Sequence, residues 1–416
     1  MHENIKSDSE VYNILEKELE RQRNELNMIP SENYVSKAVL EAAGSVLINK
    51  YAEGYPKKRY YQGNKYIDEI ESLAIERAKK LFNAEYANVQ PNSGSPANMA
   101  VYFALLNIKD KILAMDLNHG GHLTHGSPVN FSGKFYNFVS YGVDKETEML
   151  DMDKIRKIAE KENPKLILSG YTAYPRKIDF KEFHDIAQSV GAYSMCDISH
   201  IAGLIVGEAH ESPFPFTDIV TTTTHKTLRG PRSAIILCKE KFGNAIDKAI
   251  FPGIQGGPHE HTIAAKAVAF KEAMQPEFKD YAKQIVKNAR VLADKLMSEN
   301  IKLVSNGTDT HLILVDLIKT KSIGKVGMGK DIAVALEDAG IIVNANSIPF
   351  DTSNLLRPSG IRFGTPSLTT RGMKESEMEQ IGQFIADIIN NPSDIELRKR
   401  IKEKVLDLCS HYVVDY

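Results

Sequence analysis

Residues 165–197 read KLILSGYTAYPRKIDFKEFHDIAQSVGAYSMCD. An apolar run at Lys165 to Ser169 is followed by a helical pattern and then by a second apolar run, Ala192 to Cys196, that ends on the carboxylate of Asp197. Short apolar runs separated by a helix are the pattern of parallel strands joined by a crossover. Outward from this unit the same alternation repeats, with strand candidates at Ala87 to Gln90, Lys111 to Met115, Phe135 to Ser140, Asp218 to Thr222 and Ala234 to Cys238. A helix is expected from about Tyr66 through Leu81 and another opening at Ser95. The series predicts an α/β fold in which helices cover both faces of a mostly parallel sheet. Beyond Gln275-Pro276 come a long helical stretch near 281–299, strands near His311 to Leu317 and Ile341 to Asn344, and helices near 330–338 and 376–389. These predict a second, smaller α/β domain. Val11, Ile14, Leu15 and Leu19 give the first segment an amphipathic helix over about Glu10 to Glu25, with Ser9 as its N-cap. The expected division is an N-terminal helical arm over 1–30, a large domain over 31–278 and a small domain over 279–416.

The composition narrows the function classes. The 416 residues are 42% hydrophobic and 25% charged, which excludes a disordered chain, a collagen-like repeat and a disulfide scaffold. Fifty-two basic and 54 acidic residues leave a net charge of −2, without the global field that attracts nucleic acids or anionic membranes. Cys196, Cys238 and Cys409 form no CxxC pair, so a thiolate metal site is not indicated and a reducing cytoplasm is expected. No apolar run reaches the roughly 18 residues of a membrane span. Any phosphate must therefore be held locally.

In an open α/β sheet, ligands sit beyond the carboxyl ends of the strands, so polar residues just after a strand deserve most weight. Asn92-Ser93-Gly94-Ser95 precedes a helix, and its free amides and hydroxyls suit either a phosphate or an ordinary N-cap. His119, His122 and His125 follow another strand, where a metal, a ring-stacking imidazole and a structural histidine are all open readings. Asp197 and His200 flank the strand end at Cys196; the acid could face a cationic ring nitrogen, bind a metal or cap the next turn. Residues 221–232, TTTTHKTLRGPR, place Lys226 beside other cations. Neighbouring charge and partial burial lower a lysine pKa and free its amine for a Schiff base. Together these are the parts that hold pyridoxal phosphate.

At this point the chain resembles serine hydroxymethyltransferase, a family of type I pyridoxal-phosphate enzymes. TTTTHKTLRGPR carries the likeness most specifically. SENY at 31–34, KYAEGYPKKRYY at 50–61, SGSPAN at 93–98, DLNHGGHLTHGSPVNFSGK at 116–134, DISHIAGL at 197–204, FPGIQGGP at 251–258 and RPSGIRFGTP at 357–366 extend it over almost the whole chain. The resemblance implies an aspartate aminotransferase-like fold with a mostly parallel seven-stranded sheet in the large, cofactor-binding domain. It implies reversible transfer of the serine hydroxymethyl carbon to tetrahydrofolate, giving glycine and 5,10-methylenetetrahydrofolate through aldimine and quinonoid intermediates.

By the same resemblance Lys226 forms the internal aldimine with pyridoxal 5'-phosphate, Asp197 faces the pyridine nitrogen and His122 stacks on the ring. Ser93, Gly94 and Ser95 hold the phosphate, and Gly257 adds a contact from a neighbouring subunit. Thr172 and His200 hydrogen-bond the cofactor oxygen and line the carboxylate side. Arg362 holds the substrate carboxylate, with Ser31 nearby, and Glu53 manages the hydroxyl proton. Tyr51, Glu53 and Tyr61 come from the partner chain of a homodimer with shared sites, with a dimer of dimers left open. Tyr60, Leu117, Gly121, Leu123 and Asn346 match the folate-lining positions, as does Glu53. No resident metal, nucleic acid or membrane is implied.

The chain departs from the family pattern at several places. Gln62-Gly63-Asn64-Lys65 puts a cation where an acid usually sits, Ser233-Ala234 replaces two glycines, and Glu260 occupies a usually apolar position. Tyr171-Thr172 replaces a small residue and serine, and Ala345 stands where lysine is common. Three other readings stay open: a folate-independent aldolase for threonine-like β-hydroxy amino acids, a metal-dependent hydrolase or lyase using His119, His122, His125, His259 and His261, and a cofactor-binding or RNA-binding protein without catalysis.

Overall fold

The computed structural model describes residues 3–354, 356–414 and 416. The chain divides into two compact units, Val35–Lys283, and Met1–Tyr34 together with Gln284–Tyr416.

The first unit is built on seven strands: β1 (Tyr86–Asn88), β2 (Lys111–Met115), β3 (Asn137–Tyr141), β4 (Leu166–Ser169), β5 (Tyr193–Asp197), β6 (Ile219–Thr223) and β7 (Ala234–Cys238). Their order across the sheet is β1-β7-β6-β5-β4-β2-β3, and only β7 runs against the rest. The mostly parallel seven-stranded sheet expected from the sequence is thus present. Every residue of β4, β6 and β7 is buried, as expected of strands covered on both faces, which read as continuous apolar runs. Ala97, Val101, Ile112, Leu168, Met195 and Ile236 belong to one core cluster of this unit. Segments 89–95, 116–125, 170–172, 198–200 and 224–227 leave the carboxyl ends of parallel strands, where this architecture places ligands.

In the second unit, β8 (Leu312–Asp316), β9 (Asn344–Asn346) and β10 (Gly360–Gly364) form an antiparallel sheet with β10 in the centre. The run expected as one strand over Ile341 to Asn344 is two, because Ile341–Ile342 pairs in parallel with Leu26–Asn27. That pairing ties Leu26–Asn27 into this unit. Leu26 and Met28 are fully buried in one cluster with Leu292, Ile313 and Phe363. Arg371 completes the junction, donating to the carbonyls of Arg23 (2.8 Å) and Glu25 (2.9 Å) at the end of helix Ser9–Asn24, whose last carbonyls have no partner inside the helix. The N-cap of that helix is Asp8, not Ser9: its carboxylate accepts from the Val11 amide, and its charge suits the positive end of the helix.

Candidate active site

The site begins with β5, an apolar strand whose last residue is Asp197. Buried to 9% exposure, its carboxylate is fully partnered: Oδ2 accepts from Asn98 Nδ2 at 2.9 Å and lies 3.4 Å from His125 Nε2. Oδ1 accepts from the Ser199 amide at 3.1 Å and hydroxyl at 2.6 Å. Burial alone would raise the Asp197 pKa, but the hydrogen bonds from His125 and the Asn98 amide hold it well below the usual carboxylate range. A permanent negative charge therefore stands at a strand end.

The histidines have separate tasks. The His122 amide donates to His125 Nδ1 at 3.2 Å, which leaves the His125 proton on Nε2, facing Asp197. His122 Nδ1 accepts from the Thr124 amide at 3.2 Å and lies 2.8 Å from its hydroxyl. That hydroxyl also accepts from Asn98, so Asn98 links Asp197 and His122 through Thr124. His119 instead accepts from the Val143 amide at 3.1 Å, packs against Gly142, and has its pKa lowered by burial. The three-histidine run is thus divided: His119 is held by the Val143 segment, while His122 and His125 join the hydrogen-bond network around Asp197. Among the described residues, no group of three or more His, Cys, Asp or Glu is arranged to hold a metal ion.

Lys226 lies in the loop after β6, half-buried. Its neighbour Thr227 is fully buried, donates to the His200 carbonyl at 2.9 Å and accepts from the Gly203 amide at 3.0 Å. The Lys226 and His200 loops are thereby tied together. His225 is held down to about 3 by burial and by the charges of Lys226 and Arg232, so its imidazole stays neutral beside the lysine. Thr172 donates its amide to the Gly120 carbonyl at 2.7 Å, fixing its loop to the one that carries Leu117, Gly121 and Leu123. Gly121 permits that loop to pass close to β2, since a Cβ there would lie 2.3 Å from the Met115 carbonyl oxygen. Beside Thr172, the bulkier Tyr171 is absorbed in the core, its hydroxyl 3.3 Å from that of Tyr141.

Ser93 precedes helix Gly94–Leu105 with no capping bond from its side chain, so the Gly94 and Ser95 amides of the first turn have no partner within the helix, as an anion site requires. Gly94 packs closely on β6, where an added Cβ would approach Thr223 Cγ2 to 3.0 Å.

A second cluster in the same unit gathers Tyr51, Glu53, Tyr60, Tyr61 and Gly257. Tyr51 donates to Glu53 Oε1 at 3.2 Å and meets Tyr61 edge-on at 5.1 Å, while a Cβ on Gly257 would lie 3.3 Å from the Tyr51 ring. Tyr60 packs edge-on against Phe251, yet is 73% exposed, and Tyr51 and Tyr61 are also exposed. Gln255 joins this cluster's loop to the turn before helix Gly94–Leu105, accepting from the Asn92 amide and donating to the Gln90 carbonyl.

The remaining expected residues belong to the other unit. Arg362 sits in β10, buried, with Nε donating to Asn344 Oδ1 at 3.0 Å, and burial lowers its pKa only to about 10. It remains a guanidinium at neutral pH. Asn346 lies two residues further along β9, and Ser31 is half-buried in a turn.

A family model described as serine hydroxymethyltransferase matches residues 5–385. The chain belongs to this family. Serine hydroxymethyltransferases are pyridoxal-phosphate-dependent transferases of fold type I, in agreement with the sheet described above. The residues present suit that cofactor. A buried ionised carboxylate, helix amides and a lysine loop lie at the carboxyl ends of β5, β1 and β6 of the one sheet. Asn98, Thr124, Ser199 and Thr227 were not singled out from the sequence. The available signal was polarity in an apolar setting: Asn98 is buried in a largely apolar helix, one turn after Ser95.

Proposed function

We propose that this chain is a pyridoxal-phosphate- and tetrahydrofolate-dependent serine hydroxymethyltransferase that interconverts serine and glycine. The observation that carries the reading is Asp197, a buried carboxylate kept ionised by Asn98, His125 and Ser199 beside the tied Lys226 and His200 loops. Such a charge suits a protonated pyridine nitrogen. Bound there, the cofactor supplies an electron sink for cleavage of the serine Cα–Cβ bond.

The protein's own groups do the rest. Lys226 would hold the cofactor through its amine, with His122 at its ring, Ser93, Gly94, Ser95 and Gly257 at its phosphate, and Thr172 and His200 at its oxygen. Arg362 binds the substrate carboxylate with its planar fork, a two-point geometry that lysine lacks, and Ser31 assists. Glu53 takes the serine hydroxyl proton as the hydroxymethyl carbon departs and returns a proton as that carbon joins folate with loss of water. Tyr60, Leu117, Gly121, Leu123 and Asn346 line the folate site. Tyr51, Glu53, Tyr61 and Gly257 serve the site of a second copy in a homodimer, consistent with the exposure of their tyrosines.

Visible spectra of the purified protein alone, with glycine, and with glycine plus tetrahydrofolate test this reading. The expected result is a yellow protein that gains an intense long-wavelength band only when both ligands are present. Yellow colour without the folate-dependent band would favour an aldolase acting on β-hydroxy amino acids. A colourless protein unable to take up pyridoxal phosphate would overturn the cofactor assignment.

A further inference from the structure

Beneath the Glu53 cluster lies a group of buried charges that the proposed chemistry does not use. Arg59, in a short hairpin of Gly54–Tyr55 and Lys58–Arg59, has a side chain only 4% exposed. Its Nη1 donates to the carbonyls of Ala52 at 2.8 Å and Gly54 at 3.0 Å, the residues on either side of Glu53. The Glu53 carbonyl accepts from the Tyr60 amide at 3.0 Å. The backbone carrying Glu53 is thus gripped before it, at it and after it.

Two acids hold the guanidinium in turn, and a third lies close by. Nε donates to Asp68 at 2.9 Å, Nη2 donates to Glu71 at 2.5 Å, and Glu260 stands 3.7 Å from Nη2. Asp68 and Glu71 are one turn apart on helix Lys65–Phe82, so both face Arg59. Glu71 and Glu260 are almost completely buried. Two such carboxyl groups cannot both ionise cheaply at close range, and burial, then the charge of Glu71, pushes Glu260 up to about 9. Glu260 is therefore a neutral acid at physiological pH, leaving Asp68 and Glu71 to balance Arg59.

The same cluster reaches the phosphate turn. Gln90 donates to both Gly54 O and Glu71 Oε1. Lys266, wholly buried, donates to the carbonyls of Val89 and Ala234 and to the Ser233 hydroxyl, which itself donates to the Pro91 carbonyl. Two of the departures noted in the sequence, Ser233 and Glu260, therefore lie in one polar assembly.

We propose that Arg59 is the positioning residue for Glu53, fixing the backbone on both sides of it from a buried acid cluster of Asp68, Glu71 and Glu260. This inference rests on the reading of Glu53 as the proton-handling group. Lysine at position 59 keeps the charge but has no fork to span two carbonyls and two carboxylates. The test is a double-mutant cycle on the holoenzyme with Arg59→Lys, Glu53→Gln and the pair. Arg59→Lys is expected to lower kcat about 10- to 100-fold, the scale of a roughly 1 Å misplacement, with KM for serine and cofactor absorbance little changed. In the Glu53→Gln background the same substitution should cost less than about 2-fold, because the group it positions is already disabled. Hydrogen exchange should accelerate at residues 52–60 but not over the central strands. Multiplicative losses, with Glu53→Gln itself impaired, would overturn the positioning role alone. Full turnover by Glu53→Gln would overturn the proton-handling reading and the inference with it. Should Arg59→Lys not fold, Asp68→Asn runs the same cycle at a half-buried pair, with a smaller loss expected in the same direction and additivity again overturning the proposal.

Discussion

At the scale of single residues, the proposed site turns on charge at Asp197 rather than on shape. Asn98 and His125 are oriented donors whose directions were fixed when the chain folded, and donors arranged in advance strengthen a buried charge without reorganising. Asp197→Asn keeps the volume and one acceptor but removes the charge. Serine-to-glycine turnover is expected to fall at least about 100-fold, comparable with loss of a catalytic electrostatic contact. A stability measurement separates this from unfolding. Because the folded pKa is depressed, the carboxylate stabilises the fold above its unfolded value of about 3.9, and that contribution fades as pH falls toward the folded value. The gap in Tm between wild type and Asp197→Asn should be constant from about pH 8 to pH 5 and shrink at lower pH.

At the scale of elements, helices Lys65–Phe82 and Glu260–Ala273 meet through Glu71, Glu260 and Lys266 as well as through apolar contacts. Glu260, raised to about 9, favours the fold while protonated, so its contribution is complete below the unfolded value of about 4.3 and declines as pH rises to about 9. Lys266 has the opposite sign: burial lowers it to about 7, so stability rises with pH from about 7 to the unfolded value near 10.4. From about 7 to 9 the two trends oppose each other. Glu260→Gln preserves the neutral shape and removes the first trend. Its Tm relative to wild type should therefore climb between pH 5 and pH 8, by up to about 1.4 kcal/mol per pH unit in stability terms. A flat difference would show that Glu260 is not protonated in the fold.

Legibility also differed by element. β2 and β7 have the bounds expected from their sequences, since a strand buried on both faces is an apolar run. β10, GIRFG, was recognised only as a motif, because two glycines and an arginine do not read as a strand. It is central because Leu312–Asp316 and Asn344–Asn346 supply its hydrogen bonds, a fact of the tertiary structure alone. The strand expected from Phe135 starts at Asn137, since helix Phe131–Phe135 takes the earlier residues.

At the scale of the whole molecule, the exposed cluster of Tyr51, Tyr60 and Tyr61 beside Glu53 is the feature that a second copy would complete. Shared sites give a quantitative expectation for Lys226→Ala mixed with Glu53→Gln. Each variant alone should be nearly inactive. Random pairing makes half the dimers mixed, and each mixed dimer has one intact site of two, so co-expression should restore about one quarter of wild-type turnover. Sites built within single chains would restore none.

The sequence by itself determined the alternating α/β architecture and the family, because burial on both sheet faces and long motifs in a fixed order leave one-dimensional traces. It also offered Lys226, Asp197 and His122 as candidates, since residues that follow strand ends fall at the ligand edge of such a sheet. Only the tertiary structure decided which groups hold them there. Asn98 reaches Asp197 across 99 positions, Arg59 meets Glu71 and Glu260 from three separate segments, and Leu26 pairs with Ile341. Hydrogen bonds and ion pairs act over a few ångströms whatever the distance along the chain, so such partners leave no periodicity for a sequence to display.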